Sequence, residues 1–190
     1  MGERDLLNKQ LEELSQDLQS TTTSLDICQK TIVLLQKASE YARQQMKNTI
    51  ESIVTNALNV VFANDTKFEI ELGTRGGNPT AEFYVVTPEG LKCNPIDAKG
   101  GGLVDIISMG LRLAVLELYQ PKIGGPIILD EPGKMVSAEY AEGMAYFLKE
   151  YGNRVGRQII VITHNGVLAA VGDKSFNVNI KNGISEVKEI

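Results

Sequence analysis

From about Leu6 to Val61 the chain carries neither proline nor glycine, and an alternating four-three spacing of apolar residues runs along it. The seam passes through Leu7, Leu11, Leu14 and Leu18, continues through Leu25, Ile32 and Leu35, and ends near Ile53 and Val60. Thr21, Ser39, Thr49 and Asn56 interrupt it without breaking the spacing. An apolar residue at most positions of a seven-residue repeat over this distance predicts a coiled-coil helix. Such a helix extends roughly 80 Å at 1.5 Å per residue, too far to fold back onto one small core. The seam needs a partner helix. No second heptad tract follows, so the partner is expected on another chain or in another part of the same protein.

Past Asn64 and Asp65 the period changes from seven to two. KFEIEL and, after the glycine-rich stretch GTRGGNP, TAEFYVV alternate apolar with polar residues, which predicts two paired strands joined by a loop, with TPEG as the next turn. Leu103 to Tyr119 reads as a strongly apolar helix, ended by Pro121 and two glycines. Then come a strand at Ile127 to Leu129, a helix at about Ala138 to Tyr151, a strand at Gln158 to Thr163, a short helix, and a hairpin of SFNVNI and SEVKEI turned by KNG. The two central strands are apolar throughout, as suits strands covered on both faces, and the helix between them predicts a right-handed parallel crossover.

Composition narrows the field only a little. At 190 residues with 43% hydrophobic content there is material for one core plus an elongated element. A net charge of −5 gives no global basic field for nucleic acid, so any DNA contact is local or supplied by another subunit. Cys28 and Cys93 are far apart and fall in no metal-binding pattern, so reduced thiols and no zinc are expected. No apolar run approaches membrane-spanning length, and the first residues do not resemble a signal peptide. A cytoplasmic location is the expectation, nucleoid-associated if the protein is bacterial or from a phage.

Three polar features fall where sheet and helices converge. The first is the acid pair Asp130–Glu131 at the carboxyl end of the apolar strand GGPIILDEP. That end is where ligands bind in open α/β sheets, and adjacent carboxylates there suit a divalent cation and a water-activating base beside a phosphate. A strand that merely meets an acidic turn is the simpler alternative. The second is Lys99, Gly100, Gly101 and Gly102, directly before the apolar helix. Bare glycine N–H groups at a helix N-terminus can crowd an anion, although glycine runs also serve as plain linkers. The third is His164, the one histidine, just after the second apolar strand in IIVITHNG. A histidine in this position is either a phosphate contact or a satisfied polar residue.

Arm, glycine loop with its helix, IILDEP and VITH together, in this order, resemble the C-terminal half of an ABC-type ATPase head of the SMC, SbcC and RecN group. The resemblance covers essentially the whole chain. It implies an α/β fold: the C-terminal lobe of an ABC-type head, a parallel-sheet core with flanking helices, preceded by a long coiled-coil helix. Residues 1–61 are then the arm and 62–190 the lobe. It also implies ATP and Mg²⁺ as cofactors. Asp130 helps hold Mg²⁺, Glu131 polarises the hydrolytic water, His164 contacts the γ-phosphate, and Gly100 to Gly102 reach ATP bound by a second head across a dimer interface.

The chain departs from that pattern in three places. Gly100 stands where the group's signature serine is usual, counting back from Arg112; adjacent Lys99 could supply a charge instead. Val136 and Ser137 fall near the usual D-loop leucine and aspartate. There is also no GxxxxGKS/T to cradle the β- and γ-phosphates. The expectation is a DNA repair, recombination or chromosome-maintenance ATPase lobe that hydrolyses ATP only when completed by an N-terminal P-loop half and is inactive alone. A second head and DNA are its further partners, and the resemblance leaves room for a nuclease. The alternatives are a non-catalytic coiled-coil dimerisation adaptor with a degenerate head, and, less favoured, a helicase-like lobe.

Overall fold

The computed structural model describes residues 2–97 and 100–190. Its elements are α1 (Glu3–Phe62), β1 (Lys67–Arg75), β2 (Asn78–Val86), β3 (Lys92–Cys93), α2 (Gly101–Leu118), β4 (Ile127–Asp130), a 3-10 turn (Ala138–Tyr140), α3 (Ala141–Val155), β5 (Ile159–Ile162), α4 (Gly166–Val171), β6 (Phe176–Lys181) and β7 (Ile184–Glu189). The helix that the seam predicts is one continuous element of 60 residues. Compactness divides the chain inside it, at Met46 and Lys47, into a helical unit and a globular unit.

In the helical unit the seam faces water. Leu11 and Leu14 are each 67% exposed and Leu18 is 71% exposed. Polar support is local: Lys30 pairs with Asp26 at 2.7 Å one turn away, and the hydroxyls of Thr22, Thr23 and Ser24 donate to the carbonyls of Leu18, Gln19 and Ser20. Such back-bonds satisfy a serine–threonine run inside a helix, where these residues otherwise compete with the backbone.

The globular unit begins before the helix ends because the last turns of α1 are core. Ile53, Val54, Ala57, Leu58 and Val61 are buried, whereas Asn56 and Val60 on the seam are half-buried. The buried stripe thus rotates off the heptad line and broadens, as it does when a helix meets a globular core rather than one partner helix. Glycines permit the close approach: a Cβ at Gly110 of α2 would lie 3.2 Å from Val54, and one at Gly143 of α3 would lie 2.8 Å from the Val60 carbonyl.

β1 and β2 pair antiparallel from Lys67↔Val86 to Arg75↔Asn78. The connection is therefore only Gly76 and Gly77, both at positive φ, as a two-residue hairpin turn requires, and most of the expected seven-residue loop is strand. The outer edge of β1 is covered by α1: the N–H groups of Phe68 and Ile70 donate to Thr55 Oγ1 at 3.0 Å and Glu51 Oε1 at 2.6 Å. β3 adds a third strand beside β2.

β4, α3 and β5 form the expected parallel crossover, with Ile127 opposite Ile159 and Asp130 opposite Ile162. Burial alternates along both strands instead of covering both faces. Ile127 is buried and Leu129, Ile159 and Val161 are half-buried on one side. Ile128, Ile160 and Ile162 on the other side are 63%, 39% and 54% exposed. A parallel pair with one bare face is an incomplete sheet by the usual rules of such folds. β6 and β7 form the final hairpin.

Beneath the crossover, Tyr151 of α3 is fully buried and its hydroxyl donates to the Leu113 carbonyl of α2 at 3.0 Å. Burial, and then the nearby Glu117 charge, push its phenol up to about 12. A pKa raised on folding gives stability that is complete below the unfolded value near 10 and lost as pH climbs toward 12. Tyr151→Phe is expected to cost about 1 kcal/mol at pH 8. The gap between wild type and variant should then shrink between about pH 10 and 12, because only the wild type has this proton to lose. Denaturant midpoints across that range check it; a constant gap contradicts it.

Candidate functional site

The carboxyl ends of β4 and β5 lie side by side because the strands are parallel and in register. This brings Asp130 and Glu131 together with His164, 33 residues beyond Glu131 in sequence. Asp130 ends β4 on the same side as Ile128, the bare side, and is exposed. The chain then turns sharply. Glu131 adopts φ 45°, a left-handed conformation uncommon for a residue with a side chain, while its N–H donates to the Ile162 carbonyl at 2.8 Å.

That turn directs the Glu131 carboxylate to His164. Oε1 accepts the His164 backbone N–H at 3.1 Å, and Oε2 lies 2.8 Å from Nδ1 of the ring. The bond from the His164 side chain is the main reason the Glu131 carboxyl sits below its ordinary value; partial desolvation opposes it, and the His164 and Lys134 charges add to it. The shift favours the ionised form of Glu131. The His164 ring is itself 82% exposed. Its position is set by the following turn, where Asn165 caps α4 by accepting from Val167 N–H at 2.9 Å and itself donates to Thr163 Oγ1 at 3.0 Å.

The glycine run approaches from α2. Gly100 has φ 132°, which only glycine adopts readily, and no side chain caps the helix that follows. A Cβ at Gly102 would meet the Met135 carbonyl at 3.1 Å and Val136 Cα at 3.3 Å. The absence of side chains therefore has a structural use here, as a flat seat for the turn that follows the acid pair. Asp105, which sequence reasoning passed over, accepts the Met135 N–H on Oδ2 at 3.1 Å. The signal was available: an acid one turn into a mostly apolar helix. Lys99 lies outside the described residues.

The donor set suits a magnesium ion shared with a substrate phosphate. Mg²⁺ keeps most of its waters and is commonly held by one or two carboxylates plus phosphate oxygens. Asp130 offers an exposed carboxylate of that kind, and the described residues contain no cluster of three or more acidic, histidine or cysteine groups that would form a closed metal cage.

No family model matches the chain. Among solved structures, an Smc head domain with a coiled coil and joint from Pyrococcus yayanosii superposes with a TM-score of 0.75 at 17% identity, covering 98% of this chain and 35% of that one. A second, from work on ATP-driven dimerization and DNA stimulated activation of SMC ATPases, gives 0.61 at 18% identity, covering 77% and 86%. The fold is that of the C-terminal lobe of an SMC-type ABC ATPase head with part of its coiled coil. Sequence likeness points more narrowly. The chain is 27% identical over 157 residues to the DNA double-strand break repair Rad50 ATPase of Sulfurisphaera tokodaii, covering 80% of this chain and 17% of that protein. It is 32% identical over 111 residues to the DNA repair protein RecN of Aquifex aeolicus, covering 57% and 19%. The chain thus spans less than a fifth of the length of these relatives. Among the described residues no helix is long and apolar enough to cross a membrane.

Proposed function

We propose that this chain supplies the acid pair, histidine and glycine run of a head that binds and hydrolyses Mg-ATP, and that a P-loop half completes it. The observation that carries the reading is the bare apolar face of β4 and β5, Ile128, Ile160 and Ile162, ending in Asp130 and Glu131. Exposed isoleucines beside the exposed Asp130 carboxylate are what remains of a nucleotide site when the part that covers the sheet and cradles the phosphates is elsewhere.

In the completed site Asp130 holds the magnesium, which neutralises developing charge on the phosphates. Glu131, ionised and oriented by His164, takes the proton of the attacking water, and the exposed His164 ring faces the γ-phosphate. Gly100 to Gly102, with Lys99, serve a nucleotide bound on a second head. The arm pairs with a second helix along its leucine seam. The likeness to Rad50, RecN and SMC heads supports DNA repair or chromosome maintenance as the setting, with ATP-driven head dimerisation as the working step. Gly100 in place of a serine, and Val136 and Ser137 near the usual D-loop leucine and aspartate, favour the non-catalytic adaptor instead.

The test is reconstitution. Alone, the chain should hydrolyse no ATP above background. Combined with its matching P-loop half, it should form a complex that hydrolyses ATP only with Mg²⁺. Turnover by the chain alone would sink the half-site reading, and a stable complex without turnover would leave the adaptor standing.

A further inference from the structure

Between the acid pair and the glycine run lies the turn Gly133 to Val136, closed by Val136 N–H donating to the Gly133 carbonyl at 2.9 Å. It begins two residues after Glu131. Its outer side chains are exposed, Met135 at 68%, and the Lys134 charge reaches Glu131. Its inner side rests on the first turn of α2, with the positions that a Cβ would take at Gly101 and Gly102 3.6 Å from Met135 Cβ and 3.1 Å from the Met135 carbonyl oxygen. One side-chain hydrogen bond ties the two together, Asp105 Oδ2 to the Met135 N–H.

That bond joins two elements far apart in the chain: it spans 30 residues and fastens a loop to a helix. A carboxylate accepting a backbone N–H is a charge-assisted bond, stronger than a neutral one. With a flat glycine seat on one side and this bond on the other, the turn is held where two site elements meet.

We propose that Asp105 is a positioning residue of the site: by holding the Met135 amide it makes the glycine run and the Glu131 turn move as one body. The inference rests on the half-site reading for what the two elements do, and on the geometry alone for their being joined. A head in which they move together presents the glycine run to its partner only when its own acid pair is in place. Loss of Asp105 leaves both elements folded but lets the turn drift, so the rate falls while nucleotide is still bound.

Two readouts test it. The first uses the full chain by itself, with amide hydrogen exchange at Met135. Wild type should protect this amide; Asp105→Ala should speed its exchange at least about tenfold, the loss of one charge-assisted bond. Asp105→Asn should restore much of the protection, since its amide oxygen accepts the same bond. Gly102→Ala approaches from the other side: its methyl lifts the turn without touching Asp105, and should also free the Met135 amide. Melting temperatures identify any variant that merely unfolds.

The second readout is ATP hydrolysis by the chain combined with its P-loop half. Asp105→Ala should lower kcat about tenfold with KM for ATP within about twofold, and Asp105→Asn should recover most of the loss. An unprotected Met135 amide in wild type, equal exchange in all variants, or full turnover by Asp105→Ala overturns the proposal. Absence of hydrolysis by the wild-type pair, with Met135 still protected, overturns the half-site reading and the catalytic role of the bond with it. The exchange result tells the two failures apart.

Discussion

Glu131→Gln is expected to cut ATP hydrolysis by the completed head roughly 10²-fold or more while ATP binding persists, the usual scale for loss of a general base. Glutamine keeps the shape, and its carbonyl oxygen can still accept the His164 backbone N–H that Glu131 Oε1 accepts at 3.1 Å. What it loses is the negative charge that His164 and Lys134 hold in place. The variant should therefore remain folded, bind nucleotide and stall before turnover, which also prolongs an ATP-bound dimer. Asp130→Ala should differ in kind, weakening Mg²⁺-dependent nucleotide binding. Single-turnover hydrolysis beside equilibrium ATP binding separates the two, and wild-type rates in both variants would reduce the acid pair to a surface turn.

The second large effect concerns assembly. Ile128→Asp combined with Ile160→Asp should abolish binding to the P-loop half while leaving the melting temperature of the isolated chain within a few degrees. Both side chains are exposed in this lobe, so charging them costs the free chain little. In a completed sheet the same carboxylates are buried without partners, a penalty of several kcal/mol each. Gel filtration of the mixed halves reads the outcome directly. Complex formation by the double variant would mean that this face is not where the missing part sits.

Periodic features were legible in the sequence and tertiary choices were not. The four-three seam specifies a helix whatever it packs against, so α1 was predictable almost to its ends. That the last turns of α1 pack in the globular unit was not predictable, because Val54, Ala57 and Val61 continue an apolar helix pattern and only the neighbouring α2 and α3 decide that this stretch is core. The β1–β2 hairpin was visible as two alternating runs, but Thr74 and Pro79 read as loop residues although they pair across the strands. β3, at two residues, is too short to carry a period. Similarly, the apolar runs of β4 and β5 read as strands covered on both faces, whereas Ile128, Ile160 and Ile162 are exposed in this lobe.

At the site, the acids and the histidine stood out because each ends an apolar strand, and parallel registry places such ends together. The direct bond between Glu131 and His164 had no such signal, since it depends on a left-handed residue that no local preference announces. Asp105 had a signal that went unweighed, a lone carboxylate in the sequence LVDIIS.

The conformation of Glu131 sets a trap for anyone who improves this protein by thermal selection. A side chain in the left-handed region costs of order 1–2 kcal/mol that glycine does not incur, and asparagine incurs less of it. A library screened for heat resistance alone is therefore expected to enrich Glu131→Gly and Glu131→Asn, and with Glu131 as the proposed base its most robust clones will be inactive in the completed head.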